Sequence, residues 1–146
     1  LNSIYNNVFA LQIGNTIQVE IIPSTSILSG NPVKSEEKTV ENQPPEVSDV
    51  IISPSKPKAS SNLVLTYKFN DVDISFGTSS QSNQSSIRWH RKKDGEIDFT
   101  EVTELRNQSI ILSRYLSVKD NWKAEVVPFD GLSVGVSVES DVVTII

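Results

Sequence analysis

Ile17-Gln-Val-Glu-Ile-Ile-Pro23 returns later in the chain as Trp122-Lys-Ala-Glu-Val-Val-Pro128. The two stretches lie 105 positions apart, and the same offset aligns residues 11–40 with residues 116–145 without a gap. A period of roughly 100 residues is too long for a solenoid repeat and is typical of a whole β-sandwich domain. The sequence therefore predicts the last strands of one domain in residues 1–41, followed by one complete domain in residues 42–146.

The complete domain shows the alternation that half-buried β-strands require. In the stretch Leu63–Asn70, the side chains of Leu63, Leu65, Tyr67 and Phe69 all point to one face. Turn signals such as Asp130-Gly131 separate short strands, which we predict at 47–52, 63–70, 122–127 and 136–146, with a central strand that starts at residue 87. About seven strands and no convincing helix predict an all-β protein with an immunoglobulin-like antiparallel β-sandwich, arranged as a tandem repeat.

Two tryptophans lie within these strands rather than on loops. Trp89 and Trp122 could fill the core between the sheets, where an indole buries a large apolar area. They could instead form a stacking platform for a sugar ring. Their position in alternating strands favours the core, together with Leu65, Tyr67 and Val126.

Several runs of the complete domain resemble a known family. They are Gln43-Pro-Pro-Glu-Val-Ser-Asp-Val-Ile-Ile-Ser-Pro54, Leu65-Thr-Tyr-Lys-Phe-Asn-Asp-Val-Asp73, Ile87-Arg-Trp89, Asn121-Trp-Lys123 and Val127-Pro-Phe-Asp-Gly131. They are similar to tandem Ig-like modules of large secreted and cell-surface proteins of archaea and bacteria, and to PKD and cadherin-type repeats. The resemblance implies an extracellular, cell-surface role. The family often carries a third acidic residue after the second strand, where this chain has Ile74-Ser75.

Acidic and amide side chains are expected at one end of the complete domain. In a sandwich of this topology the second and sixth strands run in the same direction, so the loops that follow them share one end. That end would collect Asp71, Asp73 and Asp130 with Glu41 and Asn42 of the linker, and such oxygens suit Ca²⁺. Alternatively, the aspartates only shape turns. No other cofactor is predicted.

Three further residues, His90, Asn83 and Asn107, have both a functional and an ordinary explanation. His90 lies in a short basic run that is read either as a solvated strand face or as a contact for an acidic neighbour or an anionic glycan. The sequons at Asn83 and Asn107 fall in predicted loops, and either could carry an N-linked glycan or be a chance match.

The composition excludes several classes of protein. The net charge of −5 argues against nucleic-acid binding. There is no cysteine for a disulfide or thiolate site, and no apolar run is long enough to span a membrane. No nucleophile–base pair, phosphate loop or carboxylate pair indicates catalysis. The sequence therefore predicts that the protein is not an enzyme.

The incomplete copy points to assembly. Its apolar side chains would form a face without an opposing sheet, covered either by upstream residues or by a neighbouring subunit, as in donor-strand fibres. This predicted interface consists of Val8, Leu11, Ile17, Val19 and Ile21. The leading hypothesis is a structural module of a surface layer, sheath, filament or adhesin stalk, whose partners are copies of itself or neighbouring Ig-like domains. The alternative is a carbohydrate-binding or spacer module of a secreted polysaccharide-degrading enzyme.

Overall fold

A computed structural model describes residues 11–75 and 81–146, and the chain divides into two compact units. Of the described residues, the smaller unit holds 11–42 and 73–75, and the larger unit holds 43–72 and 81–146. The described chain consists of antiparallel β-sheets with one short helix, α1 (Val72–Ser75), and this confirms the predicted all-β class. The assignment of residues 1–41 and 42–146 to separate domains stays a prediction.

The smaller unit contains one irregular β-hairpin, residues 16–39, called here the first hairpin. Its strands are β1 (Thr16–Ile17), β2 (Glu20–Ile21), β3 (Val33–Lys34) and β4 (Lys38–Thr39). β1 pairs with β4 and β2 pairs with β3, both antiparallel. The two arms of the hairpin therefore pair twice, in two short antiparallel ladders.

The larger unit contains two antiparallel sheets. Its strands are β5 (Glu46–Ser53), β6 (Leu63–Asn70), β7 (Ser86–Lys92), β8 (Thr100–Glu101), β9 (Ile110–Ile111), β10 (Asn121–Val127), β11 (Val138–Glu139) and β12 (Val143–Thr144). One sheet has the order β5-β6-β9, and the other has the order β11-β10-β7-β8, with β12 also paired to β10. We call β10, β11 and β12 the second hairpin, residues 121–144.

Both sheets contribute to a single core in the larger unit. The buried apolar residues of this core include Leu63 and Leu65 from β6, Trp89 from β7, and Trp122 and Val126 from β10. The indole rings of the two tryptophans meet edge to face, with their centroids 6.4 Å apart. The predicted core position of the tryptophans is confirmed, and Tyr67 is partly buried against the same cluster. The arrangement has the character of a β-sandwich.

The strands at both ends of this unit are less regular than the sequence predicts. The predicted strand 136–146 is wrong as a single element, because it is divided into β11 and β12 around Ser140. The Ser140 hydroxyl accepts the backbone N–H of Ala124 at 3.0 Å and donates to the Asp141 carbonyl at 2.8 Å, so a side chain replaces part of the ladder. At the other end, the register of β5 against β6 shifts between Ser48 and Ile51, where Asp49 has φ 51°.

Two 3₁₀ turns complete the unit. They span Thr103–Leu105 and Ser113–Tyr115, on either side of β9, and they were not expected from the sequence. Leu105 points from the first turn into the core. These turns interrupt the extended backbone after β8 and again after β9.

Candidate functional site

The two hairpins have the same backbone geometry at an offset of 105 residues. In the first hairpin Ile21 pairs with Val33, and in the second Val126 pairs with Val138. The outer ladders also correspond, because the pair Thr16–Thr39 returns as Asn121–Thr144. Isolated bridges close both turns, at Ser24–Ser29 and Phe129–Val134. Each pairing partner in one hairpin thus has its counterpart in the other.

The hydrogen bonds that shape the hairpins correspond as well. The N–H of Val19 donates to the Ser35 hydroxyl at 3.0 Å, just as the N–H of Ala124 donates to the Ser140 hydroxyl at 3.0 Å. Near the turns, Gly30 donates to the Pro23 carbonyl at 2.7 Å, and the counterpart bond from the Gly135 N–H is 3.0 Å long. Positive φ angles recur at the entries, 86° at Gly14 and 72° at Lys119. All of these hydrogen bonds join residues within a single hairpin.

Burial is what distinguishes the two hairpins. Trp122, Ala124 and Val126 are all 0% exposed. Their counterparts in the first hairpin are 39%, 57% and 64% exposed, and these residues are Ile17, Val19 and Ile21. We call this apolar surface of the first hairpin the open face.

Three of the predicted interface residues, Ile17, Val19 and Ile21, form this open face. Leu11 is 46% exposed at the start of the smaller unit. Val8 lies outside the described residues. Their role as an interface stays a prediction, although large apolar side chains on one strand face are the usual mark of a surface that another sheet covers.

The predicted calcium ligands are divided between the two units. Asp71 and Asp130 belong to the larger unit, and Asp73, Glu41 and Asn42 belong to the smaller one. Within residues 11–75 and 81–146, no group of three or more His, Cys, Asp or Glu side chains is arranged to hold a metal ion. The calcium site therefore stays a prediction.

Asp130 has a clear structural role. Its side chain is fully buried, and its Oδ1 atom accepts the backbone N–H groups of Leu132 and Ser133, both at 2.6 Å. This is the turn-shaping pattern of an aspartate that hydrogen-bonds the backbone two residues on. The carboxylate thus fixes the turn of the second hairpin, whether or not it also meets an ion.

Basic side chains of β7 lie beside a glutamate on the neighbouring strand, β10. Glu125 Oε2 on β10 lies 3.5 Å from Arg88 Nη1 and 3.7 Å from His90 Nε2 on β7. Next to it, Lys123 Nζ lies 2.6 Å from Glu139 Oε1. Arg91 stacks over the Trp122 ring at 5.4 Å. The sequence pattern identified the basic residues but not Glu125 as their partner. The recurrence of Glu20 as Glu125, at the offset of 105 residues, was the available signal.

A further ion pair lies at the edge of the same sheet. Arg106 holds Glu101 with two hydrogen bonds, of 2.5 Å from Nε and 3.0 Å from Nη2. The hydrogen bonds from the guanidinium lower the pKa of the Glu101 carboxyl below its ordinary value. The same bonds raise the pKa of Arg106. Both groups therefore stay ionised near neutral pH.

Both sequon asparagines have exposed side chains. Asn83 donates to the Tyr67 hydroxyl at 3.3 Å, and its Oδ1 accepts the N–H of Ser85 at 3.0 Å. Asn107 has φ 59° and accepts the N–H of Ile87 at 3.0 Å. Attachment of a glycan to either one stays a prediction.

No helix in the described part of the chain combines the length and the apolar character needed to cross a membrane.

Comparison with known proteins identifies no relative. No family model matches the chain, and neither a curated protein nor a solved structure is significantly similar to it. The resemblance to tandem Ig-like modules therefore stands on the sequence runs alone.

Proposed function

We propose that the protein is a non-enzymatic structural module of an extracellular assembly, built from immunoglobulin-like domains in tandem. The observation that carries this proposal is the open face. A hairpin with the geometry of a domain's last hairpin, but with its apolar face exposed, is suited to join one domain to another.

The strand order of the larger unit supports the immunoglobulin-like part of the proposal. In such sandwiches the first, second, fourth and fifth strands form one sheet, and the third, sixth and seventh form the other. The described part of this chain has no strand in the place of the fourth. The orders β5-β6-β9 and β11-β10-β7-β8 follow that division. β8 then corresponds to the extra strand beside the third one that larger immunoglobulin-like domains carry.

The matched hairpins support the tandem part. An offset of 105 residues is the length of one such domain with its linker. The pairing of Ile21 with Val33 in the first hairpin is that of Val126 with Val138 in the last hairpin of the larger unit. In this proposal residues 1–41 end one domain and residues 42–146 form the next.

The buried tryptophans disfavour the carbohydrate-binding alternative. Sugar-stacking needs an exposed aromatic face, and both indoles are 0% exposed. The surface layer, sheath, filament or adhesin stalk named above are the assemblies that tandem domains of this kind build.

Localisation and ligand retention test the proposal together. Antibodies raised against residues 43–146 should label the cell surface in immunogold electron microscopy of the source cells, at regular spacing along an extracellular structure. The purified chain should pass through polysaccharide columns without delay. Intracellular labelling would contradict the proposal, and retention on a polysaccharide column would favour the carbohydrate-binding alternative.

A further inference from the structure

The first hairpin leaves open a strand edge that the second hairpin uses. In the larger unit β10 pairs with β7 over seven residues, from Asn121 opposite Lys92 to Val127 opposite Ser86. The equivalent edge of the first hairpin is residues 16–22. Within the described residues, no strand pairs with it on that side. Such an edge accepts an antiparallel strand through backbone hydrogen bonds.

The second hairpin also shows what covers the open face. In the larger unit the side chains of Trp122, Ala124 and Val126 are buried against the core residues of β5, β6, β7 and β9. We therefore infer that the first hairpin docks onto an immunoglobulin-like sheet unit that lacks its own last hairpin. The strand of that unit which pairs with residues 16–22 carries a basic side chain opposite Glu20 and a side chain smaller than tryptophan opposite Val19.

Charge complementarity predicts the basic residue of the partner strand opposite Glu20. Glu20 is the counterpart of Glu125, which lies directly opposite Arg88 on the pairing strand. Glu20 has Lys34 as its cross-strand neighbour inside the hairpin, but no ion pair within 4 Å joins it to a described residue. A cation at the Arg88 position of the partner would lie on the free side of Glu20. Opposite charges across a strand pair stabilise the pairing.

Side-chain size gives the second requirement. Ala124 lies directly opposite Trp89, and both are fully buried. In the first hairpin Val19 takes the place of Ala124. A valine in a close-packed core would collide with an indole fitted against alanine, because such cores do not absorb extra methyl groups without displacement. The Trp89 ring also meets the Trp122 ring edge to face, and Ile17 in that place would leave a void beside an indole. An indole thus matches neither Val19 nor Ile17, so we assign a side chain smaller than Trp89 to this position of the partner.

This mismatch also excludes the larger unit of a second copy as the occupant. That unit has Trp89 at the critical position, and its own second hairpin already covers its core.

The turn of the first hairpin shows where the partner's leading segment passes. A Cβ atom on Gly135 would collide with the carbonyl oxygen of Pro45, so the backbone just before β5 lies directly on that glycine. At the counterpart, Gly30, a Cβ atom would meet only Pro23. A cleft of about 440 Å³ opens there instead, lined by Pro23, Ser24, Thr25, Leu28, Ser29 and Gly30. We expect an extended, proline-containing segment of the partner, like Gln43-Pro44-Pro45, to occupy this cleft.

A tandem fusion tests the inference, which rests on the proposed function. The full 146-residue chain is preceded by a second copy of residues 43–115, either unchanged or with Trp89→Leu in the added copy. Hydrogen exchange of the backbone amides of residues 16–22 is compared with that of the unfused chain. We expect exchange to slow by about tenfold or more in the fusion with leucine. The slowing should be smaller in the fusion with tryptophan.

Two charge reversals in the leucine fusion serve as a matched pair. Glu20→Lys should return the exchange of residues 16–22 towards the rate of the unfused chain, because it places a cation opposite Arg88 of the added copy. Glu36→Lys, on an exposed segment of the same hairpin, should leave the protection unchanged. Equal effects of the two reversals would overturn the assigned partner charge.

Unprotected amides in both fusions would overturn the docking inference itself. So would an unfused chain that dimerises and protects residues 16–22, because a second copy would then be the occupant. Surface labelling of the source cells combined with unprotected fusions would leave the proposed function standing and remove only this inference. Intracellular labelling combined with protected fusions would do the reverse.

Discussion

Truncating one aliphatic side chain to alanine in each hairpin separates a buried face from an open one. Val126→Ala removes two methyl groups from a side chain that is 0% exposed. At about 0.8 kcal/mol per buried methylene the transfer loss is about 1.6 kcal/mol, and the cavity left behind raises it to about 2 kcal/mol. In urea, with a slope of about 2 kcal/mol/M, the unfolding midpoint should fall by about 1 M. Tryptophan fluorescence reports this transition, since both tryptophans lie in the larger unit.

The counterpart substitution, Ile21→Ala, is the control. Ile21 is 64% exposed, so its truncation should change the free energy of unfolding by less than about 0.5 kcal/mol. The tryptophan transition should therefore stay where it is. An equal shift for both variants would refute the reasoning, because it would mean that the open face is buried in solution against the same core. A Val126→Ala variant with the same urea midpoint as the native protein would also refute the reasoning.

Four further outcomes follow from the same contacts. Ser140→Ala should lower the free energy of unfolding by about 1–3 kcal/mol, because a buried backbone N–H loses its acceptor. The matched Ser35→Ala, on the exposed hairpin, should lower it by less than about 0.5 kcal/mol. Urea titrations of the two variants measure both changes. Iodide should quench neither tryptophan in the native protein, and free quenching of both would contradict the core. Arg106→Ala should return the pKa of Glu101 towards its ordinary value of 4.5, as followed by NMR. In the native chain this pair stabilises the fold above that pH and ceases to do so as the pH falls through the lowered value. Asp130→Ala should reduce the melting temperature in chelator as well as in calcium, and a reduction confined to calcium would instead identify the carboxylate as a ligand.

Local pattern was enough to predict the four long strands of the larger unit, β5, β6, β7 and β10. β6 spans Leu63–Asn70, the predicted range, because side chains that alternate between apolar and polar fix both the conformation and the buried face. The division of the last strand was not predictable from alternation, since it depends on a serine hydroxyl that competes with the backbone. Ser35 and Ser140 recur at the repeat offset, and that recurrence was the available signal.

Exposure of the open face could not be read from the first hairpin's own residues. Ile17, Val19 and Ile21 alternate in the same way as Trp122, Ala124 and Val126, so local sequence assigns both sets to a core. Burial is decided by strands far away in sequence, so local alternation cannot distinguish the two sets. The calcium proposal had less support, because it required loops from separate strands to converge.

The shared shape of the two hairpins bears on the order of folding. The first hairpin has its ladders, its turn and its Ser35 hydrogen bond although its apolar side chains are exposed. Its ladders join residues only 12 to 23 positions apart, and structures with low contact order form fastest. We expect the second hairpin to form early in the larger unit, as a preshaped template on which β7 and then the three-stranded sheet assemble. A chain of such units would fold from each hairpin backwards, towards the strands that precede it.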